Sequence, residues 1–246
     1  MIIYPAIDLR GGKVVRLREG DPNRQITFSD DPTATARRWI DLGASWIHMV
    51  NLDGAFAASN DNLSILKEVS KLGASIQFGG GLRQMTDIER AIDTGAARVV
   101  LGTVAIQQPE IVSEAIARWG AERICVGLDA RNGKVTTHGW NQVSDITPAE
   151  LGKLMAARGV IHALFTDVSK DGGLGGGSTQ ATIALGRETG LKVIASGGIT
   201  TIDEIRELAR SRAVAGAIIG MALYEGRIDL PTALEAAATP TTQAGA

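Results

Sequence analysis

The sequence repeats itself at about half its length. The segment IYPAIDLRGGKVV (3–15) and the segment ICVGLDARNGKVT (124–136) are identical at six of their thirteen positions. The match places Asp8 in register with Asp129, at a separation of 121 residues (129 − 8 = 121). A repeat of this kind predicts two similar structural units that bury a core together, so the fold must accommodate an internal duplication.

Three further pairs of segments continue the repeat in the same order. In one pair an apolar run ends in two glycines, so that Gly80 and Gly81 align with Gly197 and Gly198. Four ordered matches at nearly one offset predict two homologous halves of about 120 residues. The further pairs are 48–53 with 164–172, 76–91 with 193–208, and 98–106 with 216–224.

Both halves alternate short apolar runs with amphipathic helical patterns. The apolar runs carry no polar face, as in strands of a buried parallel sheet, and the helical patterns have Asp, Asn or Thr starts and Gly stops. Eight such units predict an α/β fold, a (β/α)8 TIM barrel of two half-barrels (about 1–120 and 121–237) with a disordered tail at 238–246. A doubly wound open sheet is the alternative, but it gives no reason for the repeat. The predicted strands are 2–8, 45–51, 75–79, 98–101, 123–129, 161–167, 191–196 and 216–220.

Charge and composition exclude several classes of partner. The net charge of −2 and the isoelectric point near 6.0 supply no basic field for nucleic acid or an anionic membrane. No apolar run approaches the ~20 residues that span a bilayer, and the N-terminus lacks the pattern of a signal peptide. The single cysteine, Cys125, allows no internal disulfide and is expected to be buried. These features predict a cytoplasmic protein.

Carboxylates stand at equivalent strand ends in the two halves. Active sites of TIM barrels lie at the C-terminal ends of the strands, which would place Asp8 and Asp129 opposite each other across the mouth. Two facing carboxyl groups suit general acid–base catalysis, with one ionised and the other protonated. The alternative is that each aspartate merely caps a loop. Thr166 lies near the end of the sixth strand, and Asp171 follows in the loop.

Glycine clusters end the third and fourth strands of each half. Glycine lets a backbone approach an anion closely, and the following helix N-terminus directs N–H groups at it. The doubled clusters therefore predict two phosphate sites and a substrate with a phosphate at each end. The alternatives are that the clusters are ordinary turns and that Arg83 is a surface residue. The clusters are FGGG (78–81), LGT (101–103), ASGG (195–198) and IIGM (218–221).

These motifs together resemble the histidine-biosynthesis isomerases of the HisA family, the phosphoribosylformimino-5-aminoimidazole carboxamide ribotide isomerases. The resemblance spans about residues 1–235. It implies an Amadori rearrangement of a bis-phosphorylated aminoaldose ribotide to an aminoketose, with no metal or organic cofactor, by a protein that is often a monomer. The motifs are YPAIDLRGGKVVRL, TFSDDP, FGGGLR, LGT, GLDAR, GW, TDVSKDG, ASGGI and IIGMALY.

The resemblance also implies roles for single residues. Asp8 matches the proton acceptor, Asp129 the usual proton donor, Thr166 a supporting residue and Asp171 a second candidate acid; which of Asp129 and Asp171 gives the first proton is left open. Trp140 matches an aromatic residue that stacks on the imidazole of the substrate. A lid is expected around Arg18 and Asp21, and the three histidines are expected to be structural. The predicted substrate- and phosphate-binding residues are Arg18, Gly80, Gly81, Arg83, Gly102, Thr103, Trp140, Gly172, Gly176, Ser196, Gly197, Gly198, Gly220 and Met221.

The chain departs from the family pattern at two positions, and three rival functions are set against the resemblance. Asn51 stands where many relatives have Asp, and Gly173 stands where they usually have Thr. The sister cyclase of the same pathway is disfavoured because the first strand, YPAID, lacks its cysteine. An isomerase that also accepts phosphoribosylanthranilate usually has an Arg shortly before GW, where this chain reads VTTHGW. A barrel that binds phosphosugars without catalysis is disfavoured by the intact acidic set.

Overall fold

Eight parallel strands close into a barrel. The computed structural model describes residues 1–18, 21–58, 62–172 and 176–238, without the side chain of Arg18. The order around the barrel is β1, β4, β5, β6, β7, β11, β12 and β13, and β13 pairs back onto β1. The predicted (β/α)8 fold and its eight strands are therefore confirmed, whereas the common origin of the two halves stays a prediction. Within the described residues the strands are β1 (Ile2–Arg10), β2 (Lys13–Arg18), β3 (Asp21–Ser29), β4 (Trp46–Asn51), β5 (Ser75–Gly79), β6 (Arg98–Leu101), β7 (Ile124–Gly127), β8 (Ala130–Arg131), β9 (Lys134–Thr137), β10 (Gln142–Val143), β11 (His162–Thr166), β12 (Lys192–Ser196) and β13 (Val214–Ile219).

Helices follow the barrel strands and cover the outside of the barrel. The chemistry of their first residues explains where several of them begin. Asp31 accepts a hydrogen bond from the Ala34 N–H, and Thr147 forms a reciprocal capping box with Glu150. The described helices are α1 (Pro32–Asp41), α2 (Leu52–Ala55), α3 (Leu63–Ser70), α4 (Met85–Thr94), α5 (Thr103–Gln107), α6 (Pro109–Trp119), α7 (Pro148–Ala157), α8 (Thr179–Thr189), α9 (Ile202–Ser211), α10 (Met221–Tyr224) and α11 (Leu230–Ala238), with a 3₁₀ turn at Ala121–Arg123.

Alternation along the strands divides the core into two layers. On β1, Ile3 and Ile7 belong to the large apolar cluster between the strands and the helices, while Tyr4 and Ala6 belong to a small cluster. Cys125 lies in the same small cluster and is a free, buried thiol, as expected. The small cluster fills the inside of the barrel, so the barrel is a packed core rather than a pore.

Additional strands extend the barrel at its mouth. The hairpin β2–β3 pairs antiparallel with the end of β1, with Asp8 opposite Val15. The short strands β8, β9 and β10 form a second sheet directly after β7. The sequence analysis placed only loops in both regions. The sequence analysis placed Asp129 at the last position of its strand. Because β7 ends at Gly127, Asp129 instead lies two residues beyond that strand.

The N-terminus packs against α11, the last described helix. The N-terminal ammonium donates a hydrogen bond to the carbonyl of Ala237 in α11. Of the predicted tail, Ala238 is the last residue of that helix and the remainder lies outside the described residues. None of the described helices is both long and apolar enough to cross a membrane.

Close packing of helix α8 makes a stability prediction. A Cβ atom on Gly186 would overlap the backbone carbonyl of Ala213, which cannot swing away as a side chain could. Gly186→Ala should therefore lower the free energy of unfolding by about 2 kcal/mol. At an exposed helix position the same substitution would raise that free energy by about 1 kcal/mol. Urea denaturation measures the change. Arg187→Ala, at the exposed neighbouring position, is the control and should be nearly neutral; equal stability of the two variants would contradict the prediction.

Candidate active site

A cavity of about 210 Å³ opens at the C-terminal mouth of the barrel. It is lined by residues of both halves, so the fold brings together side chains that are more than 120 residues apart in the sequence. Its position agrees with the rule that TIM-barrel sites lie at the C-terminal ends of the strands. The predicted site residues that line it are Asp8, Gly80, Gly81, Arg83, Gly102, Thr103, Asp129, Trp140, Thr166, Asp171 and Ser196.

A smaller pocket adjoins the cavity beside strands β12 and β13. Arg16 and Asp171 border both spaces, so the two are continuous. Gly176 lines neither space, but it packs closely against Gly198. A Cβ atom added to Gly198 would lie 2.8 Å from the carbonyl oxygen of Gly176. The predicted site residues that line the smaller pocket are Gly172, Ser196, Gly197, Gly198, Gly220 and Met221.

The glycine pairs after β5 and β12 have the same backbone conformation. Gly80 and Gly81 have φ of 97° and 81°, and Gly197 and Gly198 have φ of 83° and 73°. These values favour glycine, and a Cβ atom on Gly81 would lie 2.7 Å from the backbone of Gly54. Two turns with matching conformation, in which glycine leaves the backbone without side chains, therefore lie on opposite sides of the barrel mouth. Each turn is followed by the N-terminus of a helix.

Asp8 and Asp171 share one buried cation. Nη1 of Arg16 is 2.8 Å from Oδ2 of Asp8, and its Nη2 is 3.9 Å from Oδ1 of Asp171. Burial raises the pKa of Asp8 to about 6, Arg16 opposes that shift, and Asp171 adds to it. Burial also raises the pKa of Asp171, again against the attraction of Arg16. Asp8 can therefore exchange a proton near neutral pH, and its shorter contact with Arg16 makes its ion pair the stronger of the two.

Asp129 lies in a different environment. Its Oδ2 accepts a hydrogen bond of 2.9 Å from the indole N–H of Trp140, and its buried Oδ1 has no partner among the described residues. Burial raises the pKa of Asp129 to about 6; the polar groups of Trp140 and Thr166 oppose the shift, and the charge of Asp171 adds to it. Thr166, the last residue of β11, is buried and lines the cavity as well. Because no arginine or lysine forms an ion pair with it among the described residues, Asp129 keeps its proton more readily than an exposed aspartate.

Trp140 stands in a strained loop above the cavity. Its φ of 70° is rare for a residue with a side chain, and His138, two residues earlier, has a φ of 54°. The backbone N–H of His138 donates to the hydroxyl of Thr103, which ties this loop to the start of α5. The contacts of the loop thus hold the indole beside Asp129, inside the space that a substrate would share.

Other predicted residues have more local roles or are not described. Asn51 caps α2 by accepting hydrogen bonds from the Gly54 N–H and the Asn62 amide, so a neutral side chain suffices there. Asn62, the residue before α3, donates its amide to Asn51 and Asp53 instead of capping that helix. Arg83 donates to the carbonyl of Gly54 at the cavity wall. The side chain of Arg18 and the residue Gly173 lie outside the described part of the structure, so the predictions for both stay predictions.

The sequence analysis missed Arg16 and did not anticipate that His48 borders the cavity. Arg16 stands between apolar residues in VVRL, and an arginine inside an apolar strand is a signal that a buried acidic partner exists elsewhere. His48 was expected to be structural; its ring is 7% exposed, and it lines the cavity below Asp8. No local pattern distinguishes such a histidine from one packed in a core.

Comparisons with known proteins assign the chain to a family. Residues 2–229 match the family described as histidine biosynthesis protein. A protein of Roseobacter denitrificans is 46% identical over 240 residues, which cover 97% of this chain and 100% of the relative. A protein of Heliobacterium modesticaldum is 44% identical over 96% of this chain and 98% of its own length. Each relative is named 1-(5-phosphoribosyl)-5-((5-phosphoribosylamino)methylideneamino)imidazole-4-carboxamide isomerase. The chain belongs to the histidine biosynthesis protein family.

Proposed function

We propose that this chain is the isomerase that converts the bis-phosphorylated aminoaldose ribotide into the aminoketose ribotide, the Amadori step of histidine biosynthesis. The observation that carries the proposal is the placement of Asp8 and Asp129 in one cavity, each with its pKa raised to about 6. Groups that titrate near neutral pH can both give and take protons during one turnover. The relatives with the same printed name support the assignment of substrate.

Two anion sites of bare backbone fit the two phosphates of such a substrate. The first comprises Gly80, Gly81 and Gly102, with Arg83 and the Thr103 hydroxyl nearby, and the second comprises the glycines that line the smaller pocket. Backbone N–H groups at helix N-termini bind phosphate without a metal ion. A substrate held at both ends places its aminosugar carbon atoms in the middle, between the carboxyl groups.

The proposed reaction moves protons between the substrate and these carboxyl groups. An acid, Asp129 or Asp171, protonates the ribose ring oxygen; the C1–O bond breaks as the nitrogen lone pair forms a C1=N double bond. This cation acidifies the C2 proton, which the Asp8 carboxylate removes, and the electrons of the C2–H bond form a C1=C2 enolamine. The C2 hydroxyl then gives up its proton while C1 accepts one, which yields the C2 ketone and an amine at C1. No atom is gained or lost.

Arg16 explains why Asp8 is the base. Its guanidinium is 2.8 Å from Asp8 and 3.9 Å from Asp171, so it stabilises the ionised form of Asp8 more than that of Asp171. The acid is assigned to Asp129 or Asp171 because their cationic partners are weaker or, among the described residues, missing. We propose further that the enzyme acts as a monomer in the cytoplasm, on this substrate rather than on nucleic acid or at a membrane.

A turnover assay with two substrates tests the proposal. The purified chain is incubated with the aminoaldose ribotide, coupled to the downstream cyclase, and separately with phosphoribosylanthranilate. We expect turnover of the first alone, because VTTHGW lacks the arginine that holds an anthranilate carboxylate in related bifunctional isomerases. Turnover of both would add the second activity. Tight binding of the ribotide without turnover would overturn the proposal and indicate a binding protein.

A further inference from the structure

The imidazole of His48 faces the cavity from β4, at a level two residues deeper in the barrel than Asp8 on the neighbouring β1. Ala6 and His48 are register partners on β1 and β4, and Asp8 and Val50 are the partners two residues nearer to the mouth. His48 lines the cavity together with the apolar side chains of Ala6, Leu164 and Ile218. A polar ring thus faces the cavity beside these apolar side chains, one layer below Asp8.

Hydrogen-bond donors fix the protonation of this ring. Nη1 of Arg98 can only donate, and it lies 3.3 Å from the side-chain oxygen of Gln77. That oxygen therefore accepts, which turns the amide nitrogen of Gln77 toward His48, 3.1 Å from Nδ1. An amide nitrogen also only donates, so Nδ1 of His48 must be the acceptor and the ring proton must reside on Nε2.

Arg98 is itself held by several contacts, which fix the orientation of the Gln77 amide. Its Nε donates to the carbonyl of Glu122 at 3.0 Å, and Nη1 also donates to the hydroxyl of Tyr4 at 3.1 Å. The guanidinium lies over the ring of Trp46, 4.6 Å from its centroid. These contacts hold the arginine from the far end of the barrel, away from the mouth where catalysis is proposed.

The same surroundings keep the imidazole neutral. Burial lowers the pKa of His48 to about 3, and the nearby Arg16 cation adds to the effect. A neutral ring with a proton on Nε2 is a fixed hydrogen-bond donor, and Nε2 has no acceptor among the described residues. A neutral imidazole of this kind can polarise a carbonyl oxygen without giving up its proton.

We propose that Nε2–H of His48 donates a hydrogen bond to the oxygen on C2 of the substrate, and that Gln77 and Arg98 position it for that purpose. The inference rests on the proposed isomerase function. The hydrogen bond strengthens as the C2 hydroxyl becomes the ketone, because negative charge develops on that oxygen while its proton leaves to a carboxylate. His48 is then a catalytic residue that stays neutral throughout, and Gln77 is a positioning residue.

Nitrogen NMR of histidine tests the tautomer without any activity assay. The chain has three histidines, so ¹⁵N-histidine labelling gives a spectrum with three rings, and loss of one set in His48→Gln assigns His48. We expect a neutral ring protonated on Nε2 from pH 5 to pH 9. In Gln77→Leu the Nδ1 acceptor role is no longer enforced, so a mixture of tautomers should appear. A wild-type ring that is protonated on Nδ1, or that titrates in this range, would overturn the proposal.

Kinetics test the contact with the substrate. His48→Leu should lower kcat on the order of 100-fold and change KM less than threefold, whereas His48→Gln, which retains a donor, should recover at least a tenth of the wild-type kcat. Lys13→Gln, at an exposed position on β2, is the control and should behave like wild type. A His48→Leu enzyme that folds and keeps the wild-type kcat would refute the role of His48. Absence of turnover by the wild type would instead refute the proposed function and leave the NMR result standing.

Discussion

Asp8→Asn should lower kcat/KM for the aminoaldose ribotide by about a thousandfold or more, because general base catalysis alone contributes on the order of 10²–10⁴. The amide has almost the same shape as the carboxyl group but cannot take the C2 proton. It also leaves Arg16 with Asp171 as its nearest acidic partner, 3.9 Å away, so that the remaining charge pair is weaker. Initial rates at saturating and limiting substrate measure the change in kcat and in kcat/KM.

The control for this variant is an aspartate of the same hairpin region. Asp30→Asn removes the exposed partner of Lys13 and should leave kcat/KM within twofold of wild type, since surface ion pairs contribute about 0–1 kcal/mol. Activity of Asp8→Asn within tenfold of wild type would show that another group removes the proton. Circular dichroism of both variants separates a chemical defect from a folding defect.

Much of the barrel was predictable because its signals are local or repeated. A strand buried on both faces leaves an uninterrupted apolar run, and the duplication shows such runs twice, so all eight barrel strands were placed to within a few residues. The positions of Asp8, two residues before the end of β1, and of the glycine pairs, directly after β5 and β12, follow closely from the same pattern. Asp129 was displaced only because Gly127 ends β7 early and the chain continues into the small sheet with β8.

The electrostatic partners in the site could not be predicted from the sequence. Arg16 meets Asp8 because β2 folds back on β1, and the hairpin was not anticipated since its outer strand β3 is mostly exposed and shows no apolar run. The contact of Arg16 with Asp171 joins strand β2 to the loop after β11, which is far away in the chain. Pairings of this kind depend on how the closed barrel orients its ends, which no periodicity of a single segment encodes.

Asp129→Asn should lose activity and gain stability. Of the two candidate acids we expect Asp129 to give the proton, because Asp171 lies 3.9 Å from the Arg16 cation. Asparagine cannot give a proton, so kcat should fall on the order of 100-fold or more. The ionised carboxylate is costly in the fold, since burial raises its pKa to about 6 while its ordinary value is 3.8. The pKa of Asp8 is raised in a similar way, but removing its charge would take away the nearer acidic partner of the buried Arg16. We therefore expect the gain in stability for Asp129→Asn and not for Asp8→Asn.

The gain in stability must depend on pH in one direction. Between the unfolded pKa of 3.8 and the folded pKa of about 6, the folded wild type holds a proton that the unfolded chain has released, so wild-type stability falls as pH rises and stays low above 6. Asparagine has no such penalty. Asp129→Asn should therefore exceed wild type in the free energy of unfolding by about 2–3 kcal/mol at pH 8 and by less than about 1 kcal/mol near pH 4. Urea denaturation at the two pH values measures both, with the exposed Asp145→Asn as a control that should show no gain. A variant less stable than wild type at pH 8 would mean that the carboxylate, despite its burial, is stabilised by groups such as Trp140 more than burial costs it.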